Sequence, residues 1–417
     1  MLRTFFIICC WAAWSHAQPA PSPVPSPWSP AGVLQRTFAV YPELLALDAR
    51  LEGARAYARG AGALGNPQLQ LAGTWGDADE NSNFFRQRVE LGGQRGLRSA
   101  LAELGVRTAE ADLANTRRTL AVRAGGAYYG FWQARERLRV GASRHQLAER
   151  LEGIARRRLE AQEIASNEYQ LVQLEAARAT AQQLDLVAAE RVARARLNLY
   201  LATPDEQTLE LPASLSSVPE APVYLAEPPP ALEVLQARAQ SVRSDLERAR
   251  LEAQEAELEA DLVGSEMAPE LEFAAYRSRL YGAVEQGLQL SLLVPLWDWG
   301  RVGAQESRQR KRAEALSRLV ELRRLEIGLE VREAWERYQA ARQKREVLKV
   351  QAGHAAGLAQ TAQKAYELGF LPLVQVLQAQ NAYADVLLEW LASEGNCQLA
   401  TLELHWISGG DSPGGQP

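Results

Sequence analysis

Cysteine is nearly missing from this chain. Of three among 417 residues, Cys9 and Cys10 fall in the first ten, so removal of a leader leaves only Cys397 and no intramolecular disulfide. Long apolar runs are missing too: beyond residue 17 no stretch of about 18 apolar residues occurs, which excludes a transmembrane helix. Histidine is sparse. His145, His354 and His405 are scattered through helical segments with no Cys or His at ligand spacing, so packing or solvation accounts for them better than a metal site. No Ser-His-Asp set or paired carboxylates stand out, because acidic residues run along these segments as solvated faces. The sequence therefore reads as a non-enzyme without cofactor or metal. Positive charge is nearly all arginine, interspersed with glutamate at a net charge of -5, and leaves no basic face for nucleic acid.

Residues 1–17 read as a signal peptide: Arg3, an apolar run from Phe5 to Trp14, then small Ser15 and Ala17 at the cleavage position. Cys9 lacks the usual lipobox before it, which argues against acylation. The Pro-rich QPAPSPVPSPWSP at 18–30 reads as an extended tether. Proline is then absent between Pro67 and Pro204, between Pro295 and Pro372, and between Pro372 and Pro413. Such gaps predict long helices. Leu97, Leu101 and Leu104, then Leu147, Leu151 and Ile154, recur at helical spacing in a segment from about Arg98 to Glu160, which as one helix measures ~90 Å.

An internal repeat organises the chain. Gly93, Ala127 and Leu159 match Gly300, Ala334 and Tyr366 at one offset of 207, whereas upstream Leu44 matches Leu246 and NPQL (66–69) matches APEL (268–271) at 202. The difference is expected in the hairpin. The first repeat spans 31–202, a Pro-rich linker 203–231, the second repeat 232–408, and a flexible tail 409–417. Each repeat reads as helix, two strands and a long helical hairpin. The expected strands are 68–75, 84–91, 270–277 and 285–294, with GDADENSN (76–83) as the first turn. The GAGALG at 60–65 matches a dinucleotide-binding glycine pattern, but a helical pattern precedes it and Asn66-Pro67 follows, so it reads as a helix end.

Four strands cannot close a barrel, and open hairpin edges in an exported chain need partners. Two chains would supply eight strands and three would supply twelve; a water-soluble helical stalk with two β caps is the alternative. Arg86 and Arg88 share one face and would have to point inward, which leaves Phe85, Gln87, Val89 and Leu91 outward, with Gln87 an imperfection.

The stretch PLWDWGRVGAQ (295–305) resembles the signature leading from the second hairpin into the long helix of TolC-like outer membrane efflux proteins. VELGGQRGLRSALAE (89–103) resembles its first-repeat counterpart, above all in the CzcC-like metal-efflux branch, and segments 156–179 and 365–392 resemble the two helix-tip motifs. The resemblance implies a mainly α fold, a long α-helical coiled-coil barrel carrying four strands per chain into a trimeric 12-stranded outer membrane β-barrel. It implies a homotrimeric conduit in the outer membrane, joined through a periplasmic adaptor to an inner-membrane pump, of the resistance-nodulation-division type if the metal-efflux likeness holds. A type I secretion channel for a polypeptide remains a rival within transport.

By that resemblance Pro295, Trp297, Asp298, Trp299, Gly300 and Arg301, with Gly92, Gly93 and Arg95, form the barrel-to-helix junction, the tryptophans at the inner membrane edge and Arg301 facing the periplasm. Gln162, Glu163 and Ile164 form the first adaptor-docking tip and Gly369, Phe370 and Leu371 the second. Glu168 and Tyr366 match the periplasmic gate. Gln162 replaces the family's usual glycine, Gln375 and Gln378 stand where relatives are often acidic, and Leu371 where some have arginine, so an acidic constriction rests on Glu168 alone.

Overall fold

The computed structural model describes residues 28–73, 81–203, 230–280, 283–368 and 370–410. Residues 1–27 of the signal and tether, 204–229 of the linker, 411–417 of the tail, Gly369 and positions 74–80 of the first hairpin lie outside them.

The first half runs α1 (Pro30–Val40), α2 (Pro42–Ala61), β1 (Gln68–Gly73), β2 (Asn81–Glu90), α3 (Gln94–Glu160) and α4 (Ser166–Leu201). The second runs α5 (Leu232–Val242), α6 (Ser244–Gly264), β3 (Glu270–Leu280), β4 (Ala283–Leu293), α7 (Arg301–Glu367) and α8 (Leu373–Ile407). Local chemistry sets these bounds. The Ser29 hydroxyl accepts the Gly32 N–H at 3.1 Å and Pro30 occupies the first helical position, where no donor is needed. Pro42 then holds Tyr41 in extended backbone, breaking α1 from α2. The glycine pattern at 60–65 is a helix end: α2 stops at Ala61 with Gly62 as its cap.

Both α3 and α7 contain 67 residues, about 100 Å of helix each, and start 207 positions apart. The first begins four residues before the expected Arg98. The repeat is repeated in the packing. Leu120, Ala124 and Phe131 are buried in the first half, and Ile327, Val331 and Tyr338 occupy the same places in the second. Val33 and Leu44 likewise match Leu235 and Leu246 at the 202 offset. The long helices form a wall in the order α4, α3, α8, α7, with α6 lying between α3 and α7.

The strands form one antiparallel sheet in the order β1-β2-β3-β4. Gln68 faces Arg86, 18 residues on, whereas Glu270 faces Leu293, 23 residues on, so the five extra residues do lie in the second hairpin. One expectation needs correction: Asn81, Ser82 and Asn83 belong to β2, paired with Arg279, Ser278 and Arg277, and not to the turn. The cross-strand ladder carries β2 beyond the aromatic pair because β3 is long enough to satisfy its backbone groups. No helix among the described residues is long and apolar enough to cross a membrane.

Candidate functional site: a two-faced sheet, its junction and the helix tips

Pairing sorts every strand residue onto one of two faces. Leu69, Leu71, Phe85, Val89, Leu271, Phe273, Leu288, Leu290 and Leu292 share one face, and Leu288 is 90% exposed. The other carries Gln68, Gln70, Arg86, Arg88, Glu272, Gln289 and Ser291. Arg88 donates to Glu272 at 2.9 Å, directly across the strand pair, and Arg86 lies over the Phe84 ring at 5.0 Å. One charge pair thus lies across the polar face, while the leucines opposite, Leu288 above all, are largely open. Gln87 is less of an imperfection than its sequence suggests, since its amide donates to the carbonyl of Gly65 at 2.8 Å. The outer edges of β1 and β4 are unpaired among the described residues.

Below the sheet, the chain must turn from strand into helix twice. Gly93 and Gly300 do so with φ of +79° each, a left-handed conformation that a Cβ disfavours. A Cβ on Gly92 would stand 2.2 Å from that of Ala268, so the strand can pass there only as glycine. Asp298 caps α7, accepting the N–H of Val302 in a short bond and that of Gly300 at 3.0 Å; these two donors hold its carboxyl below the usual range. Beside it Trp299 adopts φ +58° and is 92% exposed, edge-on to Trp297 at 6.5 Å, with Pro295 leading into the pair. Arg95 donates to the Gly62 carbonyl at 2.9 Å and Arg301 to Glu266 at 3.0 Å, tying both helix starts to the ends of the preceding helices.

The two tips close alike. The N–H of Glu163 reaches the carbonyl of Arg158 at 2.8 Å, and that of Phe370 reaches Ala365 at 2.8 Å, the same bond 207 residues on. Gln162 takes φ +62°, the conformation for which the family's glycine is suited. Ile164 is half-buried against the cluster of Leu151, Ala155, Val172 and Leu373, whereas Phe370 is 79% exposed and Leu371 half-buried. Glu168 and Tyr366 are not joined. The Arg158 guanidinium covers the Tyr366 ring at 5.0 Å, the Tyr366 hydroxyl is buried without a partner among the described residues, and Glu168 sits in the first turn of α4, where the helix dipole favours a carboxylate.

Sequence reasoning missed two clusters. Above the tips a seam joins the hairpins: Arg144 on α3 donates to Glu175 and Gln182 of α4, each at 2.9 Å, beside a cavity of about 360 Å³ lined also by Leu147, Gln380 and Tyr383. Higher up, Arg243, fully buried, sits at the α5–α6 break and donates to Asp245 at 2.5 Å and Glu330 at 2.6 Å, with Arg118 and Arg323 also on Asp245. Of the histidines, His405 packs edge-on to Trp406 and His145 lies 3.6 Å from Glu149.

A long helical wall is continuous with a sheet whose one face carries a band of leucines and phenylalanines and whose other face is largely polar, the pattern of strands that contribute to a membrane barrel. Residues 235–410 match the family described as outer membrane efflux protein. No curated protein matches the sequence significantly. Among solved structures, the open state of the Neisseria gonorrhoeae outer membrane channel MtrE aligns at 15% identity over 91% of this chain and 89% of its own, with a TM-score of 0.75. The Vibrio cholerae outer membrane protein VceC aligns at 16% over 91% and 96%, with a TM-score of 0.73, and a membrane protein from Pseudomonas aeruginosa at 18% over 91% and 89%, also 0.73. At these identities the likeness is one of fold. Residues 235–410 thus carry an outer membrane efflux protein domain, on a chain whose fold is that of outer membrane channels.

Proposed function

We propose that three copies of this chain close a 12-stranded barrel in the outer membrane and a helical barrel beneath it, forming the passive exit duct of a tripartite efflux system. The observation that carries this is the sheet: a band of exposed leucines backed by a polar face with the Arg88–Glu272 pair across it, and with both outer edges unpaired among the described residues. Exposed apolar residues at the two ends of the helical wall, Leu184 and Leu199 on α4 and Leu322 and Leu325 on α7, support the same closure between copies. A pore-free stalk has no use for that outward band.

In this reading Trp297 and Trp299 lie at the inner membrane edge. Gln162, Glu163 and Ile164, with Gly369, Phe370 and Leu371, dock a periplasmic adaptor, Phe370 as the exposed anchor. Three Glu168 carboxylates around the axis repel one another and draw cations, and Tyr366 supports that constriction by packing. The junction sequence LGGQR favours a metal-cation pump of the resistance-nodulation-division type as the energy source. Native mass measurement on membrane-extracted protein tests the assembly: three copies are expected, and a monomer recovered in the periplasmic fraction would contradict it.

A further inference from the structure

Arg277 and Arg279 stand on the outward face of β3, the face that meets lipid in the reading above, on which this inference rests. Height along the sheet sorts that face. From the helical wall upward its rows are Val89, Leu271 and Leu292, then Gln87, Phe273 and Leu290, then Leu69, Phe85, Ala275 and Leu288. One pleat further the chemistry changes, to Leu71, Asn83, Arg277 and Gln286, and then to Gly73, Asn81, Arg279 and Val284. Eight residues separate Leu271 from Arg279, about 26 Å of strand and, at a tilt of about 40°, roughly 20 Å of depth. The apolar band of such barrels is about 25 Å tall and, with Trp297 and Trp299 at its inner edge, starts below Leu271, so Arg279 stands near its outer boundary and Arg277 one pleat beneath.

On the polar face Arg88 has Glu272 as its partner. Arg277 is exposed and makes no hydrogen bond or ion pair among the described residues, and Arg279 is exposed two residues above it. A guanidinium at the edge of hydrocarbon needs oxygen acceptors for its fork of donors, and phosphate fits that fork bidentately. Asn83 and Gln286 flank Arg277 in its own row and Asn81 faces Arg279, adding amide donors on the same face. We infer that this patch binds the phosphate groups of an anionic glycolipid in the outer leaflet, one patch per subunit.

The test uses the full-length assembly in nanodiscs containing bisphosphorylated lipid A or its dephosphorylated form, with bound lipid counted by native mass spectrometry. The wild type is expected to retain the phosphorylated lipid selectively. At about 1 kcal/mol per arginine near a charged surface, Arg277→Gln with Arg279→Gln lowers that affinity about thirtyfold, and the two lysine substitutions lower it less. Equal retention by wild type and an inserted double glutamine variant overturns the inference alone, as does displacement of the lipid by millimolar inorganic phosphate, which marks a free-anion site. Failure of the wild type to insert overturns the membrane reading and this inference with it.

Discussion

Asn381 on α8 donates to Glu175 on α4 at 3.0 Å, across the seam between the two helical hairpins. The same oxygen accepts from Arg144. One carboxylate therefore holds a cationic and an amide donor from different repeats, on the side of the wall toward the tips. Glu175→Ala leaves the Arg144 guanidinium, only 20% exposed, without its main acceptor, at a cost of about 1–3 kcal/mol. A lower melting temperature and a higher open probability are expected; unchanged values for both would show that the seam bears no strain of closure.

The two faces of β4 give a sharper contrast. Leu288→Arg places a charge in the outward apolar band and is expected to cost about 2–4 kcal/mol, reducing insertion, whereas Gln289→Arg, one residue on, points to the polar face and is tolerated. Trimer yield in the outer membrane fraction measures both. Equal yields would mean that neither face meets lipid.

Removing the Cβ at the first tip should help. Gln162 is exposed and left-handed, so Gln162→Gly relieves about 1 kcal/mol of backbone strain. A thermal melt rising for Gln162→Gly and not for Gln162→Ala is the expected signature; a fall for both would place the side chain in a stabilising contact.

Asp245 links stability to pH. Burial alone would favour its neutral form, but hydrogen bonds from Arg243 and Arg323, with the nearby Arg118, outweigh that and hold the carboxyl well below its usual range. The folded state thus binds this proton less readily than the unfolded one. Its contribution is complete above the unfolded carboxyl value, about 4, and is lost as pH falls beneath it. Asp245→Ala removes the acceptor that three arginines share, leaving Arg243 with Glu330, and is expected to cost about 3–5 kcal/mol at neutral pH while flattening the acid limb of the stability profile. An unchanged acid limb would assign the linkage elsewhere.

Much of the fold was legible because length and repetition leave few options. Proline-free segments, one offset from Gly93 to Gly300, and leucines alternating along β4 carry the helices, the duplication and the two faces with little ambiguity. The seam and the Arg243 cluster were not legible, since arginine and glutamate recur on nearly every turn and sequence offers each many equivalent partners. Glu175 meets Asn381 across 206 positions, a pairing fixed only once α3 and α8 pack. The Arg158 guanidinium over the Tyr366 ring escaped notice for a related reason, one arginine among many on that helix. Gln87 stood out as a flaw only because its acceptor, a main-chain carbonyl at Gly65, has no side-chain signature.

Single-channel recording in planar bilayers, with wild type beside Glu168→Gln, addresses the duct most directly. Long-lived unitary steps that prefer cations, with that preference reduced in the variant, are the expected result. A well-folded, membrane-extracted trimer that never conducts, either as wild type or as the loosened Glu175→Ala, would contradict it.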